Sequence, residues 1–224
     1  MKKFETKKLF YNKYLFGIAF RNPIASIFRN KNFRYAKSII DDLQRSHEAG
    51  LPLWIRKTMK EKQIKQDEFT DIRTFFNECT STQKEYLLRC EGNIVKIYSN
   101  DKPWLKSIAK KVTSITEFYE PDPKLAQFLI DNHKTMIVDG DFPYEYKITF
   151  GNNPLPASFG DWCDRNKNKV KITTATNNEI KKNGYVAGRY MYAKNDSTLM
   201  LCNLIAGTSF ARIDKLVSRQ NIDK

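Results

Sequence analysis

The chain has 224 residues, 41% of them hydrophobic and 13% aromatic, enough apolar material for one large core or two small ones without staples. Its 39 lysines and arginines outnumber 25 aspartates and glutamates, a formal charge of +14, so the partner to expect is a polyanion such as DNA or RNA. No run approaches the roughly 18 apolar residues of a membrane-spanning helix, and the four cysteines are too scattered for a zinc knuckle or a disulfide scaffold.

Residues 1–8 open with positive charge, but the next residues are aromatic and broken by Asn12, Lys13 and Arg21, a pattern of mature sequence and not of a secretory signal. Residues 14–20 alternate apolar with other residues, the period of a strand, and leave it through Asn22-Pro23 into a helical start. A helix over 33–49 and a strand near 53–56 come next. The spacing of Lys57, Glu61 and Lys65, and then of Phe69, Ile72, Phe75 and Phe76, predicts an inserted helical arm over about 57–82. A strand over 86–98, a helix over 102–112 and a strand over 115–119 complete the half. Glu120-Pro121-Asp122-Pro123 reads as a stiff linker.

Beyond it the pattern restarts: strand 144–150, helix 157–165, strand 170–174, a helical turn near 177–182 and strand 185–193. Asp196 is the expected cap of a helix that Gly207 stops, and 210–217 alternates as a last strand. Tyr14-x-Phe16-x-Ile18-x-Phe20 matches Tyr144-x-Tyr146-x-Ile148-x-Phe150, and both run into Asn-Pro. Asn100-Asp101 followed by Phe118 matches Asn195-Asp196 followed by Ile213 at constant spacing. The expected fold is therefore α+β: two tandem ferredoxin-like βαββαβ halves, 1–120 and 121–224, an internal duplication with a helical insertion in the first half.

Between residues 1 and 37 ten basic residues face Glu5 alone, and their interleaving with aromatics marks Arg21, Arg29, Lys31 and Arg34 as the main phosphate contacts, beside the first strand. A second basic run contains Lys167, Lys169 and Lys171. On the strand 185–193, Tyr190 and Tyr192 share one face and could stack on bases. RNA-recognition domains display aromatics in that way, but Thr149 and Ala19 stand where their first strand wants an aromatic, so membership is not inferred.

Catalysis has less support. Only His47 and His133 exist, no phosphate-binding glycine loop is present, and no cofactor or metal is called for. Asp139, Asp141, Glu145 and Lys147 have the residue types of a metal-dependent nuclease, but a spacing of four between Asp141 and Glu145 leaves no hairpin to bring two strands together. Two function classes remain ahead of that one. The first is a non-catalytic, cytoplasmic nucleic-acid-binding protein with reduced thiols. The second is a self-associating structural or assembly protein, such as a viral or particle component, whose basic face meets packaged nucleic acid or an acidic protein.

Overall fold

A computed structural model describes residues 1–57 and 60–222, a mixed α+β chain. Its described residues form two five-stranded sheets, a two-stranded hairpin and seven α-helices. They divide into two compact units, residues 1–6 with 13–126 and residues 7–12 with 127–224.

In the first unit β1 (Lys2–Glu5) and β2 (Phe16–Arg21) precede a 3-10 helix (Ala25–Lys31) and α1 (Phe33–Glu48). The hairpin β3 (Leu53–Lys57) and β4 (Lys60–Ile64) leads to α2 (Gln66–Thr80), then β5 (Tyr86–Glu91), β6 (Ile94–Ser99), α3 (Lys102–Lys111) and β7 (Ile115–Glu120). The sheet order is β1-β7-β2-β6-β5, antiparallel throughout except for β1, which runs parallel to β7.

Local chemistry sets these boundaries. The Asn32 side chain accepts the Tyr35 amide and starts α1, which buries Ala36, Ile40 and Leu43 at helical spacing. Asp101 does the same for α3 by accepting the Trp104 amide at 2.7 Å, and Lys110 and Lys111 sit at the end where the helix dipole favours cations. Phe69, Ile72, Phe75 and Phe76 lie on the helix α2 that their spacing predicts and are buried, with the Phe75 ring 4.4 Å from that of Phe20 in β2.

Three expectations for this unit need correction. The strand near 53–56 forms but pairs with β4, outside the main sheet, with Leu53 opposite Ile64 and both buried. The arm consequently begins as a strand: burying that pair outweighs the helical charge spacing, and Thr58 and Met59 lie outside the described residues. The stretch 86–98 is not one strand but the hairpin β5–β6, folded at Gly92, whose φ of +61° suits the turn.

The second unit contains α4 (Ala126–Asp131, its first residue belonging to the first unit), β8 (Thr135–Val138), β9 (Tyr146–Phe150), α5 (Ala157–Arg165), β10 (Val170–Ile172) and α6 (Thr174–Lys181). It ends with β11 (Tyr190–Ala193), α7 (Asp196–Ala206) and β12 (Phe210–Ser218). The sheet order is β10-β11-β9-β12-β8, with β8 parallel to β12 and every other pair antiparallel. Tyr146, Ile148 and Phe150 turn to the core with Phe159, Cys163, Ile180 and Cys202 from the helices, so Lys147 and Thr149 turn to the opposite face.

Two corrections apply here. The expected strand over 185–193 begins only at Tyr190, because Gly188 (φ +78°) turns the chain ahead of it, donating its amide to the Phe150 carbonyl while the Arg189 carbonyl accepts the Phe150 amide. Asn195, not Asp196, caps α7, its side chain accepting the Thr198 amide at 3.0 Å, while the Asp196 carboxylate accepts the Tyr146 hydroxyl. The register of the two sheets is comparable residue by residue. Ile18 lies between Ile97 and Phe118 in the first, and Ile148 lies between Met191 and Ile213 in the second.

Candidate nucleic-acid interface

In the first unit, buried Asn22 fixes the turn after β2. Its side chain accepts the Ile24 amide at 3.1 Å and donates to the Glu68 carbonyl at 2.8 Å. Arg21, exposed, ends β2. Arg29 and Lys31 project from the 3-10 helix, and Arg34 stands in the first turn of α1, all three exposed. None of the four pairs with a carboxylate among the described residues. The first turn of α1 contains no acidic residue, so Arg34 adds its charge to the positive end of the helix dipole, the reverse of the usual placement. Arg29 and Lys31 line a cleft of about 400 Å³ with Arg89, Phe28, Leu87, Leu88 and Cys90. No local pattern in the sequence marks Arg89; the β5–β6 hairpin brings it there.

In the second unit, Lys171 lies in β10 directly opposite Tyr192, its ammonium 6.0 Å from the Phe142 ring. Lys167 and Lys169 are in the turn before β10. Lys167 lies 3.8 Å from the Asp164 carboxylate, and Lys181 pairs with both Asp161 and Asp164. The hydrogen bond from Lys181 holds the Asp164 carboxyl below its ordinary range. This basic run is therefore partly neutralised by α5, whereas the cluster in the first unit is not.

Tyr190 and Tyr192 do share the face of the sheet away from α5, α6 and α7, opposite Thr149 and Lys147 respectively. Tyr192 is half-buried under Phe142, whose ring meets it edge-on at 4.9 Å, and under Tyr144 at 6.0 Å. Tyr190 remains 43% exposed, with the Lys147 ammonium 4.0 Å from its ring centroid. Beyond Lys147 lies Asp214 of β12, fully buried, accepting from Arg212 Nε and from Lys8 Nζ at 3.1 Å. Arg212 also donates to the Leu9 carbonyl at 3.3 Å, and its buried Nη2 has no partner among the described residues. Burial first, then the nearby charge of Lys8, pushes the Lys147 ammonium below its ordinary value; Asp214 opposes the shift and Arg212 adds to it.

The carboxylates considered for a nuclease are not gathered. Asp139 is taken by Lys7 and by Arg219 at 3.4 Å, Asp141 and Glu145 are exposed, and Lys147 belongs to the sheet face just described. No group of three or more metal-ligating side chains occurs among the described residues. All four cysteines are free, and burial pushes the Cys163 and Cys202 thiols up to about 12. No described helix is long and apolar enough to cross a membrane.

No family model matches the chain, and neither a curated protein nor a solved structure resembles it significantly.

Proposed function

We propose that the chain is a non-catalytic nucleic-acid-binding protein, assembled by duplication from two ferredoxin-like halves, that contacts phosphates through Arg21, Arg29, Lys31 and Arg34. The duplication is supported by a shared order. Counted from β2 and from β9, the four antiparallel strands run fourth, first, third, second in both sheets, with a parallel fifth strand beside the fourth. The observation that carries the functional reading is the electrostatic conflict at the start of the 16-residue α1, where Arg34 in the first turn and Lys31 just before the cap have no carboxylate partner among the described residues. Such an arrangement opposes folding and is relieved by an anion. The reading includes a cytoplasmic location, supported by four free thiols of which three are buried.

The test replaces Arg21, Arg29, Lys31 and Arg34 together by alanine and measures oligonucleotide affinity against salt, with circular dichroism as the folding control. The reading requires the slope of log affinity against log salt to flatten by up to about 3 units, as expected for four lost phosphate contacts. An unchanged slope in a folded variant removes this cluster from the interface.

One observation favours the assembly reading. α7 buries the small side chains Thr198, Cys202 and Ala206 and turns Met200 (65% exposed) and Leu204 (77% exposed) outward, an apolar surface suited to self-association. Concentration-dependent sedimentation with negligible oligonucleotide binding would favour that reading over the first.

A further inference from the structure

We propose that the face of the second sheet turned away from α5, α6 and α7 is a platform for single-stranded nucleic acid, where Tyr190 stacks a base and Lys147, Lys171 and Arg212 meet the neighbouring phosphates. This inference rests on the nucleic-acid reading and adds to it the strand state of the ligand and the residues that read it.

Three observations converge on this face. First, the two tyrosines differ in availability. Tyr192 is braced by Phe142 and Tyr144, while Tyr190 stands 43% exposed opposite Thr149, a residue too short to cover it. A ring held by its neighbours on a rigid strand loses little freedom when a base stacks on it. Second, the charges do not balance. Asp214 is the carboxylate that acts on Lys147 among the described residues, and Arg212 and Lys8 already occupy it. Lys147 makes no ion pair among the described residues, and the buried Arg212 Nη2 donates to nothing there. Buried donors and cations in that state favour an incoming anion. Third, Lys147 and Lys171 flank Tyr192 in a single cross-strand row, since each lies directly opposite it.

The first unit shows what the face looks like without this equipment. Gly17 and Ala19 stand at the register positions of Lys147 and Thr149, and Lys96 stands at that of Tyr190. Tyr98 lies so close over Gly17 that a Cβ there would come within 2.9 Å of its ring. A lysine at position 17 has no room and Lys96 stands where Tyr190 does, so a lysine seated over an exposed ring at these register positions belongs to the second sheet.

With Lys147 seated over the Tyr190 ring, cation and base compete for one surface. Binding moves the ammonium from the ring to a phosphate and lets a base take its place. A duplex keeps its base faces inside the stack and cannot make this exchange along its length, which is why the platform selects single strands.

The experiment uses the full chain and fluorescence anisotropy with oligomers of about 12 nucleotides, within the span of such sites. The ligands are oligothymidylate, oligouridylate, an abasic DNA strand with the same phosphates and no bases, and a DNA duplex. Wild type should bind the better of the two base-bearing strands at least about fivefold more tightly than the abasic strand, and more tightly than the duplex at equal salt. Whichever of the two binds better identifies the sugar. Tyr190→Ala should bring the base-bearing and abasic affinities within about twofold of each other, and Tyr190→Phe should retain the preference. Lys147→Ala should weaken all strands and reduce the single-strand salt slope by about 0.7. A folded Tyr190→Ala variant that keeps the wild-type preference overturns the platform, as does a wild type that binds the duplex best or the abasic strand equally well. Absence of salt-sensitive binding to every ligand overturns the nucleic-acid reading along with it.

Discussion

Replacing Asp214 by alanine probes the charge group on which the second sheet's polar face is built. The Asp214 side chain is fully buried and holds Arg212, itself 17% exposed, and Lys8, 34% exposed. Removing one partner of a buried pair costs about 3–5 kcal/mol, because the other charge stays behind without compensation. Water replaces much of what Lys8 loses, so its share is discounted and the expected loss is about 3 kcal/mol. For a chain of this size that corresponds to a fall in Tm of roughly 6–12 °C. Asp214→Asn keeps an oxygen for Arg212 and should lose about half as much. Thermal unfolding followed by circular dichroism and calorimetry at fixed ionic strength measures both. The same substitution leaves the face more positive, so oligonucleotide affinity at low salt should rise while stability falls. An Asp214→Ala protein within about 0.5 kcal/mol of wild type would refute the reasoning, since a fully buried ion-paired carboxylate cannot be that dispensable.

Two further predictions concern other carboxylates. Buried Asp71 in α2 accepts from the Thr113 amide (2.8 Å), the Thr113 hydroxyl (3.0 Å) and the Ser114 amide (2.8 Å), tying the inserted arm to the start of β7. Asp71→Ala should therefore cost about 3 kcal/mol and speed hydrogen exchange at those two amides; unchanged exchange would show that the tie is not formed. Asp101, Glu120, Asp139 and Asp164 are held below the ordinary carboxyl range, chiefly by hydrogen bonds from Lys84, Lys102, Lys7 and Lys181. Because the folded state binds these protons less tightly than the unfolded state, their contribution is complete above about pH 4.5 and is lost as pH falls through the depressed values. Tm measured from neutral pH down to about pH 2 should drop in that window, and a flat profile would contradict it.

What could be read from the sequence depended on the reach of each signal. Alternation in 144–150 and 210–217 and the helical spacing of 157–165 are local patterns, and each formed close to its expected bounds. The matched segments of the two halves hold equivalent register positions, Ile18 with Ile148 and Phe118 with Ile213, because each of these residues faces a core and its cross-strand partner fixes its place. Elements whose partners lie elsewhere in the chain were illegible. β1 reads Lys-Lys-Phe-Glu, too short and charged to announce itself, and it exists because β7 offers it an edge. β3 has the pattern of a sheet strand and forms half of a separate hairpin, since nothing local specifies which edge a strand joins.

The candidate site shows the same division. The excess of cations at residues 21–37 and the shared face of Tyr190 and Tyr192 come from counting along one segment. Arg89, Lys8, Lys147 and Arg212 enter their clusters only through cross-strand register or the path of residues 7–12. The alternation of 210–217 already placed Arg212 and Asp214 on one face, a signal that becomes informative once the strand opposite is known.

The measurement that tests the central claim most directly is the affinity of the unmodified chain for labelled single- and double-stranded DNA and RNA across a range of salt concentrations. The account predicts binding that weakens steeply and linearly in log salt, favours a single strand over its duplex, and loses several units of slope when the cluster at Arg21, Arg29, Lys31 and Arg34 is neutralised. Binding too weak to detect at low salt, or an affinity indifferent to salt, would contradict it.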